Sequence, residues 1–329
     1  MEFRTGRRSG LLIIAGVVLI SGLAAGTSLI KLPVPFVSEL FDTRAPEPPR
    51  DSAVIKKTVA DPVPEPVEVL PYSHWVDSVF ASLTLDEKIG QLFMVSAYSN
   101  KRETEYRELE NLIRKHNIGG VLFFQGGPER QAALTNRYQA AAKVPLLVGL
   151  DAEWGLGMRL DSTISYPRQL TLGAVADDRL IFEMGKEIGR QLRRIGVNVN
   201  FAPVADINSN PRNPVIGNRS FGDDKVNVAR KTSAYMKGLQ AQQVIAVAKH
   251  FPGHGDTNTD SHHTLPVLKH SKTALQNNEL YPFVKLIRDS ITAVMSGHLH
   301  VTAYDPDPDA VPASISPNIV NNLLRKELG

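Results

Sequence analysis

The stretch DDRLIFEMGKEIGRQLRRIGVNVNFAPVAD, Asp177 to Asp206, carries the two patterns that decide the fold. Its first part spaces apolar residues by three or four positions, which predicts a helix with one buried face. Those residues are Ile181, Met184, Ile188, Leu192 and Ile195. The part from Asn198 to Asp206 is short and mostly apolar, which is typical of a strand buried on both faces of a parallel sheet. The stretch therefore predicts a helix followed by a strand of an α/β fold.

The same alternation repeats on both sides of this stretch. Strands are predicted at Gln91–Ser96, Gly119–Phe124, Pro145–Asp151, Asn198–Asp206, Val244–His250 and Ile291–His298. Helices are predicted at Glu103–Asn117, Glu129–Ala142, Asp177–Val197, Val228–Leu239, Thr273–Asp289 and Ser316–Gly329. No G-x-G-x-x-G loop follows the first strand, so a dinucleotide-binding fold lacks its main support. A β/α (TIM-type) barrel with six of its eight strand–helix units is expected, and a doubly wound sheet is the alternative.

Two segments precede this domain, which is expected to span residues 72–329. Arg4, Arg7 and Arg8 stand before the uncharged run Leu11–Ile30, which is nearer to the roughly 20 residues of a membrane helix than to the apolar part of a signal peptide. Residues 1–30 are therefore expected to be a membrane anchor, or else a cleaved signal. The proline-rich residues 31–71 are expected to be an extended linker. Because basic residues stay cytoplasmic, the domain is predicted to be exported. In a bacterium it would lie on the periplasmic side of the inner membrane, anchored or released.

Composition excludes several function classes. The chain of 329 residues has a formal net charge of +3 and no cysteine. Without a basic stripe, nucleic acid is not an expected partner. Without cysteine, disulfides and thiolate zinc sites are excluded.

Polar side chains follow the ends of several predicted strands. Asp151 ends the third strand, Lys249 and His250 end the fifth, and Arg219 lies in the loop after the fourth. In β/α barrels the chemistry lies at this edge of the sheet. Lys249 closes an apolar run and needs a buried partner or a ligand. The shared location favours a polar ligand such as a sugar.

The loop AKHFPGHGDTNTDSHHTLPVL, Ala248 to Leu268, holds four histidines and two aspartates. A metal site, a proton-transfer site and a plain polar loop are all compatible with this composition. A metal-dependent hydrolase is therefore one alternative, although the chain has no H-E-x-x-H pattern.

With this loop, four further stretches resemble glycoside hydrolase family 3, in particular its bacterial β-N-acetylglucosaminidases. They are GLDAEWGLGMRL, FAPVADINSNPRNPVIGNRSFGDD, VMSGHLHV and PASISPNIVNNLLRKELG. The resemblance covers most of residues 72–329, and the KHFPGHG…DSH run is its most specific part. It implies hydrolysis of terminal β-linked N-acetylglucosamine from glycans, such as peptidoglycan fragments, with retention of configuration.

The resemblance also implies residue roles. His262 would be the acid/base and Asp260 its orienting carboxylate; an imidazole titrates near neutral pH and can both donate and accept a proton. The expected sugar-binding residues are Asp151, Arg159, Arg219, Lys249 and His250. His254 and His263 are expected to serve the structure of the loop. No metal and no cofactor is implied.

The family's nucleophile, an aspartate after the seventh strand, has no counterpart in this chain, so the chain is expected to stop in mid-domain. A non-catalytic module that binds cell-wall sugar is therefore a second alternative.

We predict that His262→Ala lowers cleavage of an N-acetylglucosaminide by orders of magnitude while circular dichroism shows an intact fold. Asp260→Asn should also lower turnover, because the imidazole loses the carboxylate that orients it. Steady-state kinetics of both variants, made in the protein as its native host produces it, checks these predictions. Unchanged turnover in His262→Ala would refute the assignment.

Overall fold

The computed structural model describes residues 74–259, 265–307, 309 and 311–329. The expected anchor, the linker up to residue 71, and the pair Asp260 and His262 lie outside the described residues. Within the described part, no helix combines the length and the apolar character that a membrane crossing requires.

Helices and strands alternate through most of the described chain. The strands are β1 (Met94–Tyr98), β2 (Gly120–Gln125), β3 (Leu147–Leu150), β4 (Val199–Asn200), β5 (Ile245–Phe251), β6 (Val267–Leu268), β7 (Ala293–Ser296) and β8 (His300–Val301). The α-helices are α1 (His74–Ser82), α2 (Leu85–Gly90), α3 (Glu103–His116), α4 (Pro128–Ala141), α5 (Gln169–Gly173), α6 (Asp178–Arg194), α7 (Lys225–Gln240), α8 (Lys272–Asn277) and α9 (Tyr281–Arg288). Short 3-10 helices span Leu156–Met158 and Gly217–Arg219, and a π-helix spans Asn318–Glu327.

Six strands form one parallel sheet in the order β1-β2-β3-β4-β5-β7. Each strand pairs with the next strand of this sheet along the chain; Gly120 lies opposite Met94 on one side and Leu147 on the other. A doubly wound sheet reverses its strand order at a switch point, and this sheet does not. The α/β prediction is confirmed, and the sequential order is consistent with part of a (β/α) barrel.

The sheet separates two apolar clusters. Along β5, Ala246 and Ala248 pack into the large cluster shared with the helices, whereas Ile245 and Val247 belong to a smaller cluster on the opposite face. This alternation is the period of two that a strand imposes on its side chains. The face with the smaller cluster is called the inner face below. Its other buried members are Leu122, Val199, Phe201 and Ala293.

The predicted strand Asn198–Asp206 is wrong in extent, because β4 is only Val199–Asn200. Pro203 has no N–H and cannot donate to a regular ladder. Contact with β5 continues as separate hydrogen bonds, including Lys249 N–H to the Pro203 carbonyl at 3.1 Å and Ala205 N–H to the Lys249 carbonyl at 2.7 Å. The chain thus leaves the sheet early but stays beside β5.

The prediction of one helix over residues 273–289 is also wrong. The segment is divided into α8 and α9, and Pro282 lies in the first turn of α9. Its ring would clash with the residue 278 carbonyl in a continuous helix, so the helix restarts. The short parallel pair of β6 with β8 was not predicted, nor were α1 and α2.

Helices α6 and α7 approach each other closely because glycines lie at their contact. A Cβ built on Gly238 would lie 2.2 Å from the Phe182 carbonyl oxygen, and one on Gly185 would lie 2.5 Å from the Tyr235 carbonyl oxygen. Both obstacles are backbone atoms, which cannot rotate away.

We predict that Gly238→Ala lowers the free energy of unfolding. The overpacking cost of about 1–3 kcal/mol should exceed the gain in helix propensity of up to about 1 kcal/mol. Urea denaturation measures the change. Val226→Ala is the control, because Val226 lies on the same helix and is 46% exposed. Its free energy of unfolding should stay within about 0.5 kcal/mol of the wild-type value. A Gly238→Ala protein more stable than wild type would contradict this packing.

Candidate active site

Two charged residues continue the inner face at the carboxyl ends of their strands. Lys249 follows Ile245 and Val247 in steps of two along β5, and Asp151 follows Leu147 in the same steps along β3. Because the strands are parallel, both side chains reach the same edge of the sheet. They meet there, with Lys249 Nζ 2.8 Å from Asp151 Oδ1.

An ion-pair network of five side chains extends from this contact. Lys249 Nζ also lies 2.8 Å from Glu153 Oε1. Arg159 donates through Nη2 to Asp151 Oδ2 at 2.7 Å. Arg219 binds Glu153 with two hydrogen bonds, of 3.0 Å through Nε and 2.7 Å through Nη2. Three cations therefore surround two carboxylates, and Lys249 joins the two halves.

A second cluster lies beside the network and is centred on Asp206. The Asp206 carboxylate is 2.7 Å from His250 Nδ1 and accepts the His250 and His254 backbone N–H groups at 3.2 and 2.7 Å. Asp206 is fully buried. When His250 is neutral, the negative charge of Asp206 offsets the one positive charge by which the three cations of the network exceed its two carboxylates. A carboxylate only accepts hydrogen bonds, so His250 carries its proton on Nδ1. This leaves Nε2 as an acceptor.

The network keeps both of its carboxylates ionised. Burial alone would raise their pKa values, but the cations outweigh it. Lys249 and Arg159 lower the pKa of Asp151, and Lys249 with Arg219 lower the pKa of Glu153 to about 2. Burying charged groups is tolerated only where such partners are present.

His250 is held in its neutral form. Burial lowers the pKa of His250, and Arg219 and Lys249 act in the same direction against the opposing effect of Asp206. A neutral imidazole with a free Nε2 can accept a hydrogen bond from a hydroxyl group.

Exposure separates the side chains that can touch a ligand from those that support them. Arg159, Arg219, His250 and Asp151 keep 26%, 20%, 17% and 13% of their side chains exposed, whereas Lys249 keeps 3% and Glu153 none. The first group borders the accessible edge of the sheet and offers hydrogen-bond partners for hydroxyl groups.

The structure brings together the five residues that the sequence predicts to bind sugar, and their role in binding stays a prediction. It adds Glu153, which the sequence did not single out, and Asp206, which the sequence placed at the end of the fourth predicted strand without a role. The signal for Glu153 was available, since a lysine in an apolar strand requires buried counter-charge. Asp260 and His262 lie outside the described residues, so the acid/base assignment stays a prediction. Within the described ranges, no group of three or more His, Asp or Glu side chains is arranged to hold a metal ion.

The glycines at the start of the loop after β5 are accounted for by packing. A Cβ on Gly255 would lie 1.6 Å from the Ile207 carbonyl oxygen, and one on Gly253 would lie 2.8 Å from Glu279 Cβ. Glycines in a loop would also permit a swinging backbone. The contacts show instead that the backbone is pressed against its neighbours at both positions.

The glycosyl hydrolase family 3 N-terminal domain matches residues 84–329, which include every residue of the ion-pair network. The chain belongs to this family.

Three proteins of known name or structure are similar to this chain. Beta-hexosaminidase A of Pseudoalteromonas piscicida is 35% identical over 244 residues, covering 68% of this chain and 41% of the relative. The structure of a family 3 beta-N-acetylglucosaminidase from Paenibacillus sp. str. FPU-7 matches with a TM-score of 0.70 and 39% identity, over 75% of this chain and 48% of that one. Beta-glucoside phosphorylase BglX bound to 2FGlc matches with a TM-score of 0.73 and 26% identity, over 77% and 46%. The chain thus spans less than half the length of each of these relatives.

We predict that Glu153→Gln lowers the free energy of unfolding by about 3–5 kcal/mol at pH 7, the usual cost of removing one partner from a buried ion pair. Glu187→Gln is the matched control, because Glu187 also has a pKa of about 2 but pairs with Arg190 at the surface. That change should cost less than about 1 kcal/mol.

The pH dependence of the Glu153→Gln effect follows from the lowered pKa. Ionised Glu153 contributes fully above its unfolded-state pKa, near 4.5, and its contribution is lost as the pH falls towards about 2. The stability difference between wild type and Glu153→Gln should therefore shrink over this range in chemical denaturation. A difference that is constant with pH would contradict the ionised, buried carboxylate.

Proposed function

We propose that this protein is a β-N-acetylglucosaminidase that hydrolyses terminal β-linked N-acetylglucosamine. The observation that carries the proposal is the ion-pair network at the C-terminal edge of the sheet, joined by Lys249 between Asp151 and Glu153. Together with the neighbouring Asp206 carboxylate it presents charged and polar groups of balanced charge, which suits a neutral sugar. The named activities of the relatives from Pseudoalteromonas and Paenibacillus support the same substrate class.

In the proposed mechanism the network holds the sugar and the loop after β5 transfers the proton. Asp151 and the two arginines, Arg159 and Arg219, bind hydroxyl groups, while His250 accepts a hydrogen bond through Nε2. His262 protonates the leaving oxygen and then deprotonates the water, and Asp260 orients its ring. A retaining enzyme would place a carboxylate nucleophile about 5–5.5 Å from the acid/base.

The natural substrate is proposed to be peptidoglycan fragments, because the charged and apolar residues 1–30 predict export. A fusion of residues 1–71 to alkaline phosphatase tests the export: activity in intact cells is expected. An inactive fusion that remains in the cytoplasm would remove this argument for a periplasmic substrate.

Phosphorolysis is the second candidate, and the likeness to beta-glucoside phosphorylase BglX favours it. In that reaction phosphate replaces water at the anomeric carbon, and a neutral histidine acid/base would not repel the anion. Product analysis with and without phosphate separates the two: free N-acetylglucosamine identifies hydrolysis, and its 1-phosphate identifies phosphorolysis.

We predict that the enzyme as the cell makes it cleaves p-nitrophenyl N-acetyl-β-glucosaminide, and that Asp151→Asn lowers kcat/KM roughly 10- to 100-fold. Hydrogen bonds to a charged group contribute about 1.5–3 kcal/mol, which corresponds to this range. Asp161→Asn is the control, because Asp161 is exposed ten residues later in the same loop and should leave kcat/KM unchanged.

Calorimetric titration of the chain with N-acetylglucosamine separates binding from catalysis. Binding without cleavage would support the alternative of a sugar-binding module. An absence of both binding and cleavage would refute the proposed function.

A further inference from the structure

The segment after β4 contacts the start of the loop after β5 through a buried asparagine. Asn213 Nδ2 donates to the His254 carbonyl at 2.8 Å, the Gly255 carbonyl at 3.1 Å and Thr257 Oγ1 at 3.2 Å. Asn213 is 7% exposed, and His254 and Thr257 are almost fully buried. One carboxamide thus holds three polar groups within residues 254–257 of the neighbouring loop.

The orientation of this carboxamide is fixed by its own turn. Asn213 Oδ1 accepts the Val215 and Ile216 backbone N–H groups at 2.9 and 2.8 Å. The oxygen is therefore committed to donors, and the NH₂ group must face the carbonyls of the loop. A side chain held at both ends can fix the position of the backbone that it binds.

Two further residues of the same segment extend the contact. Asn210 Nδ2 donates to the Thr257 carbonyl at 3.2 Å and to Asn258 Oδ1 at 2.7 Å. Asp206 accepts the His254 backbone N–H at 2.7 Å. Side chains of residues 206–213 thereby hold residues 254, 255, 257 and 258.

We propose that Asn213, assisted by Asn210, is a positioning residue for acid/base catalysis. The inference rests on the proposed function, because its consequence lies in the next residues of the chain: Asp260 follows Asn258 by two positions. Asn213 thus fixes the part of the loop that directly precedes Asp260 and His262 in the sequence. Asp151, Arg159 and Lys249 are placed by the strand ends and the ion-pair network. Arg219 also donates to the Val215 carbonyl at 3.2 Å, so the test has to keep the hydrogen bonds from Val215 and Ile216 to Asn213 Oδ1.

Asn213→Asp is the sharpest test. The substitution keeps Oδ1 and its two N–H donors, and it replaces the donating NH₂ by an oxygen that faces two carbonyls. We expect kcat to fall at least tenfold while KM changes less than twofold, since positioning of the acid/base is lost and sugar binding is kept. Asn213→Ala would remove the donor and also the acceptor of the Val215 and Ile216 N–H groups, so Asn213→Asp is the variant that isolates the donor.

Asn227→Asp is the matched control. Asn227 also donates from Nδ2 to two carbonyls, those of Gly173 and Phe221 at 3.0 and 3.3 Å, but on α7. It should lower thermal stability without changing kcat. Equal losses of kcat in Asn213→Asp and Asn227→Asp would show that the effect is merely structural and would overturn the proposal.

Hydrogen exchange gives a readout that is independent of catalysis. In Asn213→Asp the amides of residues 254–258 should exchange at least tenfold faster than in wild type, while those of β3 and β5 keep their rates. Unchanged exchange in this segment would overturn the positioning role even in an inactive protein. If wild type cleaves no N-acetylglucosaminide while the exchange responds as expected, the proposed function fails and the fixing of the segment by Asn213 stands.

Discussion

The Lys249 ammonium between Asp151 and Glu153 is the interaction on which the candidate site depends. Lys249 ends an apolar strand, and a buried ammonium without counter-charge would lose its proton or destabilise the fold. Both carboxylates come from the loop after β3, so the two contacts of 2.8 Å connect the ends of β3 and β5 across the short strand between them. Removing either carboxylate would leave a buried charge in the centre of the site.

The network also determines which groups can meet a ligand. Each buried charge is paired with a more exposed one, from Lys249 and Glu153 inside to Arg159 and Arg219 at the accessible edge. The arginines reach the ligand side already fixed by a carboxylate, so little side-chain entropy remains to be lost on binding. With Asp206 included, the charges balance, which suits a neutral ligand better than an anion.

Much of the fold and part of the site could be predicted from the sequence. Strand periodicity placed Asp151 and Lys249 at the same edge, because a parallel sheet aligns the carboxyl ends of its strands. The partners could not be predicted in the same way. Glu153 lies in a segment without periodicity, and its contacts with Lys249 and Arg219 join distant parts of the chain. Asp206 was visible as a strand-end residue, but its role depends on where the loop after β5 turns back.

The short strand β4 explains why this last part is not visible in the sequence. Pro203 ends the regular ladder, so the following backbone no longer has to pair with β5 residue by residue. Side chains then make the contact with the neighbouring loop. Carboxamides suit this contact because one NH₂ group can donate to several carbonyls. In a sequence such asparagines predict only turns. Their position beside the loop after β5 follows from the early end of β4, which is a property of the folded sheet.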